Sequence, residues 1–281
     1  MKTPFFQLTT LSQSSLQDYI DCARRFKLRY LDRLSYPAVE TEPTLENEKH
    51  LQEGEYFHRL VQQHLIGIPA DHIARLANTP NLQRWWENFQ SFSQTNLTNL
   101  TNCLPEVTLS APLGNYRLLA KYDLIAIEND KAIIYDWKTY RKRPRSEWLS
   151  ARMQTRVYRA LLVKAGAHLN NGKPFEPEQI EMIYWFADFP DDPARFEYTS
   201  AQYQRDWDLL VKLSDEIDLR QAQDNGASYP RTDDRQKCAF CTYRSYCERG
   251  VHAGAWDEAE AEMDAEELFD VNFEQIGEIA F

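Results

Sequence analysis

Polar and apolar residues alternate along Lys121-Tyr122-Asp123-Leu124-Ile125-Ala126-Ile127, break at Glu128-Asn129-Asp130, and give way to the apolar run Ala132-Ile133-Ile134-Tyr135. Two β-rich runs around an Asn-Asp turn predict a hairpin. Successive strand residues face opposite sides, so Asp136 and Lys138 share a face and Trp137 takes the other. The first strand can bring Asp123 beside them. Glu106 opens a further strand expected to pair with residues 116–127, and residues 180–186 predict another, buried in the same sheet. Helical spacing of Leu16, Tyr19, Ile20, Ala23, Phe26 and Tyr30 predicts a helix within residues 8–34. Ser12 or Ser14 is its N-cap, Cys22 lies inside it, and Arg24, Arg25, Lys27 and Arg29 take its exposed side. Further helices are expected at 53–66, within 67–104, at 146–165, and at 201–222 with Trp207, Leu210, Val211, Leu213 and Ile217 inward. Residues 37–51, 95–102 and 188–193 read as loops.

Length and composition narrow the class. A chain of 281 residues with 43% hydrophobic and 27% charged residues is globular, and it suits one large domain or two small ones. No apolar run reaches membrane-spanning length, and the start, Met1-Lys2-Thr3-Pro4, lacks the apolar segment of a secretory signal. No membrane association and a cytoplasmic location are therefore expected, where cysteines serve as thiols or metal ligands. The net charge of −11 is unevenly placed: ten acidic residues and no Lys or Arg lie from Asp257 onward. The remainder is close to neutral, so local basic clusters must carry any phosphate binding.

Two constellations carry chemistry. Asp123 and Asp136 offer the oxygen ligands that Mg²⁺ takes, and Lys138 could orient a water or offset developing charge. An ordinary strand-end ion pair would look the same in sequence. Gln154 and Tyr158, four apart, share a face of the following helix. The second constellation is Cys238-x-x-Cys241-x5-Cys247, three cysteines that need a fourth ligand from elsewhere. Cys22 is the natural candidate and Cys103 its competitor; spacing suits an iron–sulfur cluster or zinc.

The order Asp123, then Asp136-x-Lys138, then Gln154-x-x-x-Tyr158 on a helix resembles the PD-(D/E)XK nuclease superfamily, specifically its RecB-like branch. The resemblance runs from Leu11 to Cys247. It implies a restriction-endonuclease-like α/β core with a mixed central sheet flanked by helices, a helical insertion at 66–105 and an iron–sulfur-stapled terminus. These would fill residues 1–254, with 255–281 as an acidic tail. The family carries a metal-binding histidine in a Gly-x-x-x-His helix, which implies His58 after Gly54; His64 lacks that motif. By the same resemblance His58, Asp123, Asp136 and the Trp137 carbonyl hold Mg²⁺ or Mn²⁺, and Lys138 positions or helps deprotonate the water. Gln154 and Tyr158 would support the active site and the nucleic-acid backbone, with Glu106 an outer acid.

A subset of these nucleases, including CRISPR-associated iron–sulfur exonucleases and helicase–nuclease subunits, has one cysteine near the N-terminus and three after the core. Cys22, Cys238, Cys241 and Cys247 match, in the aromatic setting of Phe240, Tyr243 and Tyr246, which implies a 4Fe-4S cluster and leaves Cys103 a thiol. The implied activity is metal-dependent hydrolysis of DNA, as an exonuclease on single-stranded or frayed ends, in repair, recombination or CRISPR adaptation. The alternative is a catalytically silent DNA-binding subunit of a larger repair or CRISPR complex. Arg141, Lys142, Arg143, Arg145, Arg152, Arg156 and Arg159 are expected to meet nucleic-acid phosphates. The tail is expected as a solvated acidic end, and as the segment that could cover the basic groove or dock a protein partner through Leu268, Phe269 and Phe273.

Overall fold

The structure, a computed structural model, describes residues 9–35, 44–98, 100, 102–223, 228–238 and 241–250, with 44–48 by backbone alone. Phe240 and the tail 255–281 lie outside the described residues. At the centre is the expected hairpin, β3 (Tyr116–Glu128) and β4 (Lys131–Lys138). Asn129 and Asp130 turn the chain with φ of 51° and 61°. Two consecutive positive φ values make the type I′ turn, whose twist matches that of the flanking strands and which Asn and Asp tolerate.

Around the hairpin the sheet is mixed. β2 (Asn102–Leu113) pairs antiparallel with β3, and β1 (Thr10–Leu11) runs parallel to β3 at Arg117 and Leu118. β5 (Ile180–Phe186) lies parallel to β4, and β6 (Phe189–Glu197) antiparallel to β5. The order is β1-β3-β4-β5-β6, with β2 also on β3. β6 replaces most of the loop expected at 188–193. Pro190 and Pro193 cannot donate to a ladder, but β6 ends the sheet order, where such residues are tolerated.

Helices cover both faces. On one, α1 (Gln13–Asp21), α7 (Met153–Ala165) and α8 (Ser200–Ala222) bury Leu16, Val157, Leu161, Leu210 and Ile217 against β2, β3 and β5. On the other, α3 (Thr44–Leu65), α4 (Ala70–Ala74) and α5 (Pro80–Asn96) form an aromatic layer. Phe57, Trp85, Trp86 and Phe89 pack there with Trp137 and Trp185 of the sheet. Within 66–105, α4 and α5 thus pack beside α3 on this side of the core, and the buried Trp85 and Trp86 are packing residues. No described helix is long and apolar enough to cross a membrane.

Three expected helices are redrawn. α1 starts at Ser12, whose side chain and that of Ser15 cap each other's backbone, but it stops at Cys22, where the backbone is extended (φ −162°, ψ 105°). α2 (Ala23–Phe26) and a π-helical turn, Lys27–Leu31, follow. Ile20 is exposed rather than in the apolar stripe. Arg25 and Arg29 turn inward to bind Asp18 at 2.5 and 2.8 Å. α3 begins at Thr44, inside the loop expected at 37–51. The helix expected at 146–165 is two: α6 (Ser146–Ala151) and α7, separated by extended Arg152 (φ −64°, ψ 145°). On α8 the expected inward Val211 is exposed.

Candidate active site

The site is built where the sheet changes face. On β3, Leu118, Ala120 and Tyr122 point into the α7 core, but so do Ile125 and Ile127, while Leu124 and Ala126 point the other way. The alternation slips by one residue at Asp123. Opposite, on β2, the register runs unshifted from Pro105↔Leu124 to Val107↔Tyr122 and skips one residue on each strand, Asp123 and Glu106, the latter with a φ of 58°. A non-glycine residue in the left-handed region inside a strand is strained, and such irregularities re-aim side chains beside functional sites. The Glu106 carboxylate itself turns to Lys121.

The β3–β4 ladder reaches Leu124↔Tyr135. One step further, Asp123 and Asp136 stand opposite each other. There the Trp137 N–H donates to Asp123 Oδ2 at 2.8 Å, so the aspartate side chain is anchored to the neighbouring strand. Its other oxygen, Oδ1, lies 3.3 Å from His58 Nδ1. Burial pushes the Asp123 carboxyl up, but the adjacent His58, the Trp137 amide and Lys138 outweigh it and hold the group below the usual carboxylate range.

Asp136 and Lys138 share a face, as strand geometry requires, and are almost wholly buried. Lys138 Nζ sits 2.9 Å from Asp136 Oδ2, and Gln154 Nε2 donates to Asp136 Oδ1 at 2.8 Å. A buried ammonium–carboxylate pair holds its geometry only where further hydrogen bonds share the load. Gln154 occupies the first turn of α7 because the helix restarts after Arg152. Tyr158, one turn on, donates its hydroxyl hydrogen to the Lys121 carbonyl at 2.6 Å, and its own carbonyl accepts from the Tyr122 hydroxyl at 2.8 Å. It is 1% exposed and braces β3 from behind.

His58 reaches Asp123 because α3 lies close to the end of β4. A Cβ on Gly54 would stand 2.8 Å from Thr139 Oγ1, so only glycine permits this approach. Below it, His50 Nε2 lies 2.8 Å from the Thr139 carbonyl. His64 packs on Trp86 and Phe89, away from the site. Among the described residues no three His, Cys, Asp or Glu side chains converge as ready ligands of a single ion. The end of the ladder carries two separate contacts, His58 with Asp123 and Lys138 with Asp136, and imidazole nitrogen and carboxylate oxygen are donor types that Mg²⁺ or Mn²⁺ accepts.

The model of the PD-(D/E)XK nuclease superfamily matches residues 10–248, nearly the whole described chain. The chain belongs to that superfamily. The restriction-endonuclease-like fold and nuclease character follow from it. Among solved structures, the nuclease is similar to SSO0001, at 15% identity over 86% of this chain and 87% of that one, with a TM-score of 0.41. It is also similar to a protein of Eubacterium rectale named for an inferred exonuclease activity, at 9% identity over 74% and 79%, with a TM-score of 0.47. No curated protein matches.

Away from the carboxylates, Cys22, Cys238, Cys241 and Cys247 of the nuclease line one pocket, whereas Cys103 lies on β2 opposite Ala126. The break at Cys22 ends α1 at this pocket. Burial pushes the Cys241 thiol up to about 11, against the pull of Arg25, and also raises Cys238 and Cys247. Asp21 binds Lys237 at 2.9 Å, and the Arg24 N–H donates to the Pro230 carbonyl at 3.1 Å. The basic stretch is largely engaged within the protein. Arg143 binds Asp192 and covers Phe186, Arg152 stacks on Trp148, and Arg156 and Arg159 bind Asp206. Arg141, Lys142 and Arg145 are the exposed members. Sequence reasoning missed Gln17, whose Oε1 accepts from the Met153 N–H at 3.1 Å; a glutamine in a helix carries no signal of so distant a contact.

Proposed function

We propose that this nuclease hydrolyses phosphodiester bonds of DNA with Mg²⁺ or Mn²⁺, as an exonuclease on single-stranded or frayed ends, in repair, recombination or CRISPR adaptation. The observation that supports the metal-dependent reading is that the His58–Asp123 contact and the Lys138–Asp136 pair both fall where the β3–β4 ladder ends. His58, Asp123, Asp136 and the Trp137 carbonyl would hold the ion. Once bound, it supplies an acidified water and offsets charge on the phosphate. Lys138, its ammonium held by Asp136, would align the attacking water and offset charge that develops there. Gln154 holds Asp136 by its second oxygen, and Tyr158 holds the strand that carries Asp123. The RecB-like branch is supported by this set together with Gly54 and His58 on one helix.

For the cysteine pocket we propose a 4Fe-4S cluster on Cys22, Cys238, Cys241 and Cys247. In a cluster each thiolate binds a different iron, so the sulfurs need not close to the ~2.3 Å from one point that zinc demands. Four cysteines lining one pocket supply the number of thiolates that such a cluster takes. The cluster closes a loop of more than two hundred residues, which removes several kcal/mol (roughly) of unfolded-state entropy if it acts as a disulfide does. The acidic tail is assigned to a protein partner or to covering the groove; equal DNA affinity of the full chain and one ending at Gly254 would dismiss the second role.

The test is anaerobic purification followed by a Mn²⁺-dependent assay on end-labelled single- and double-stranded DNA. Asp123→Asn and Lys138→Ala should each lower the rate at least ~100-fold, the scale of a lost positioned charge or general base. Wild-type rates in both would end the hydrolytic reading and leave a DNA-binding subunit. A brown protein containing iron is expected; a colourless one with a single zinc would refute the cluster.

A further inference from the structure

α7 holds both carboxylates, through Gln154 on Asp136 and through Tyr158 on β3, so the next question is what holds α7. Helix first turns present backbone N–H groups that need acceptors. α7 begins after extended Arg152, whose side chain does not cap it. The buried Met153 N–H instead donates to Gln17 Oε1 at 3.1 Å, across 136 residues of chain. One turn earlier on α1, Gln13 Nε2 donates to the Tyr158 hydroxyl at 3.5 Å. Both glutamines lie on one face of α1, and Gln17 is only 8% exposed.

α1 is itself firmly seated. Ser12 and Ser15 close its N-terminus, Asp18 binds Arg25 and Arg29, and Asp21 binds Lys237 beside the cysteine pocket. A hydrogen-bonded path therefore runs from the cysteine pocket along α1, through Gln17 to Met153, to the adjacent Gln154, and on to Asp136 Oδ1.

We infer that Gln17, assisted by Gln13, is a positioning residue for the catalytic carboxylates, and that α1 is the strut by which the cysteine end of the molecule sets their geometry. This rests on the metal-binding reading of Asp123 and Asp136. Gln17 touches neither substrate nor metal. It fixes where α7 starts, and so where Gln154 can reach.

The experiment compares the full-length, cluster-loaded wild type with Gln17→Met, which removes the acceptor at similar length, and Gln17→Glu, which keeps an oxygen that a helix N-terminus favours. Gln13→Met is the milder companion. Readouts are amide hydrogen exchange of residues 150–158, the Mn²⁺ concentration giving half-maximal rate, and kcat against KM for end-labelled DNA. For Gln17→Met, exchange in the first turn of α7 should accelerate roughly tenfold or more. The half-saturating Mn²⁺ should rise and kcat fall roughly tenfold, the scale of a sub-ångström misplacement, while KM for DNA stays the same. Gln17→Glu should restore both exchange and rate. Wild-type exchange and Mn²⁺ dependence in Gln17→Met, or equal losses in the Met and Glu variants, would overturn the inference. If the wild type cuts no DNA, the nuclease reading fails, and the exchange comparison alone decides whether Gln17 sets α7.

Discussion

Gly54 marks the closest approach of α3 to the end of β4, and replacing it separates stability from catalysis. In Gly54→Ala the new methyl group would stand 2.8 Å from Thr139 Oγ1, and the gap must widen to at least 3.4 Å for an ordinary contact. Thr139 is buried and stiff at χ1, and its carbonyl is engaged by His50, so α3 yields instead. Alanine gains about 1 kcal/mol of helix propensity over glycine, and overpacking costs about 1–3 kcal/mol. The net loss is therefore about 0–2 kcal/mol, or a Tm drop of only a few degrees, roughly, in a chain of this size. At the site the effect is larger. His58 lies one turn along the same face, and its 3.3 Å contact with Asp123 moves with the helix. A displacement near 1 Å costs about 100-fold in rate, so the half-ångström expected here should cost roughly tenfold. Thermal unfolding and Mn²⁺-dependent cleavage of Gly54→Ala measure the two effects together. Adding Thr139→Ala, which deletes Oγ1, should recover most of the activity, and adding Thr139→Ser should not. A Gly54→Ala protein with wild-type rate and metal dependence would refute the argument.

Other outcomes follow from the same geometry. Asp18→Asn removes the counter-charge shared by Arg25 and Arg29 and should cost about 3 kcal/mol in urea unfolding, the scale of breaking a buried pair. Glu106→Gly relieves the left-handed backbone at φ 58° and should stabilise by about 1 kcal/mol, with Glu106→Val destabilising; denaturation midpoints of the pair decide it. Burial outweighs the hydrogen bond to Thr139 and holds His50 below its ordinary value of 6.5. The unfolded chain then takes up the proton first, so stability is full above pH 6.5 and falls as the pH drops below it. Unfolding free energies at about pH 7.5 and 5.5 should show this loss, at most about 1.4 kcal/mol per pH unit for each such histidine, and a smaller one in His50→Gln.

The hairpin was legible because local and tertiary signals agree there. Alternation set the faces of Asp136 and Lys138, and Asn129-Asp130 suits a turn with two positive φ values. Gly54 and His58 were legible only through the family motif, whose physical reason is the closeness of Thr139. Features set by distant contacts were not legible. Nothing in Glu106 announces a left-handed residue, yet its φ of 58° falls opposite Asp123, where β3 changes face. The proline-containing run 189–193 hides β6, whose pairing depends on its place at the end of the sheet. The break at Arg152 follows from an acceptor on another helix. The arginines of 141–159 look alike in sequence, and nothing there announces that Arg143, Arg152, Arg156 and Arg159 meet Asp192, Trp148 and Asp206 within the fold.

The seat of α1 has a consequence for how the molecule comes into being. Tyr19 receives a hydrogen bond from Arg220, Asp21 pairs with Lys237, and the Arg24 amide meets Pro230. A chain translated from its N-terminus makes α1 about two hundred residues before these partners. Contacts of such long span form slowly. The scissors are thus riveted late: the first blade is forged early, but the pin that aligns it arrives only after about two hundred further residues have been added.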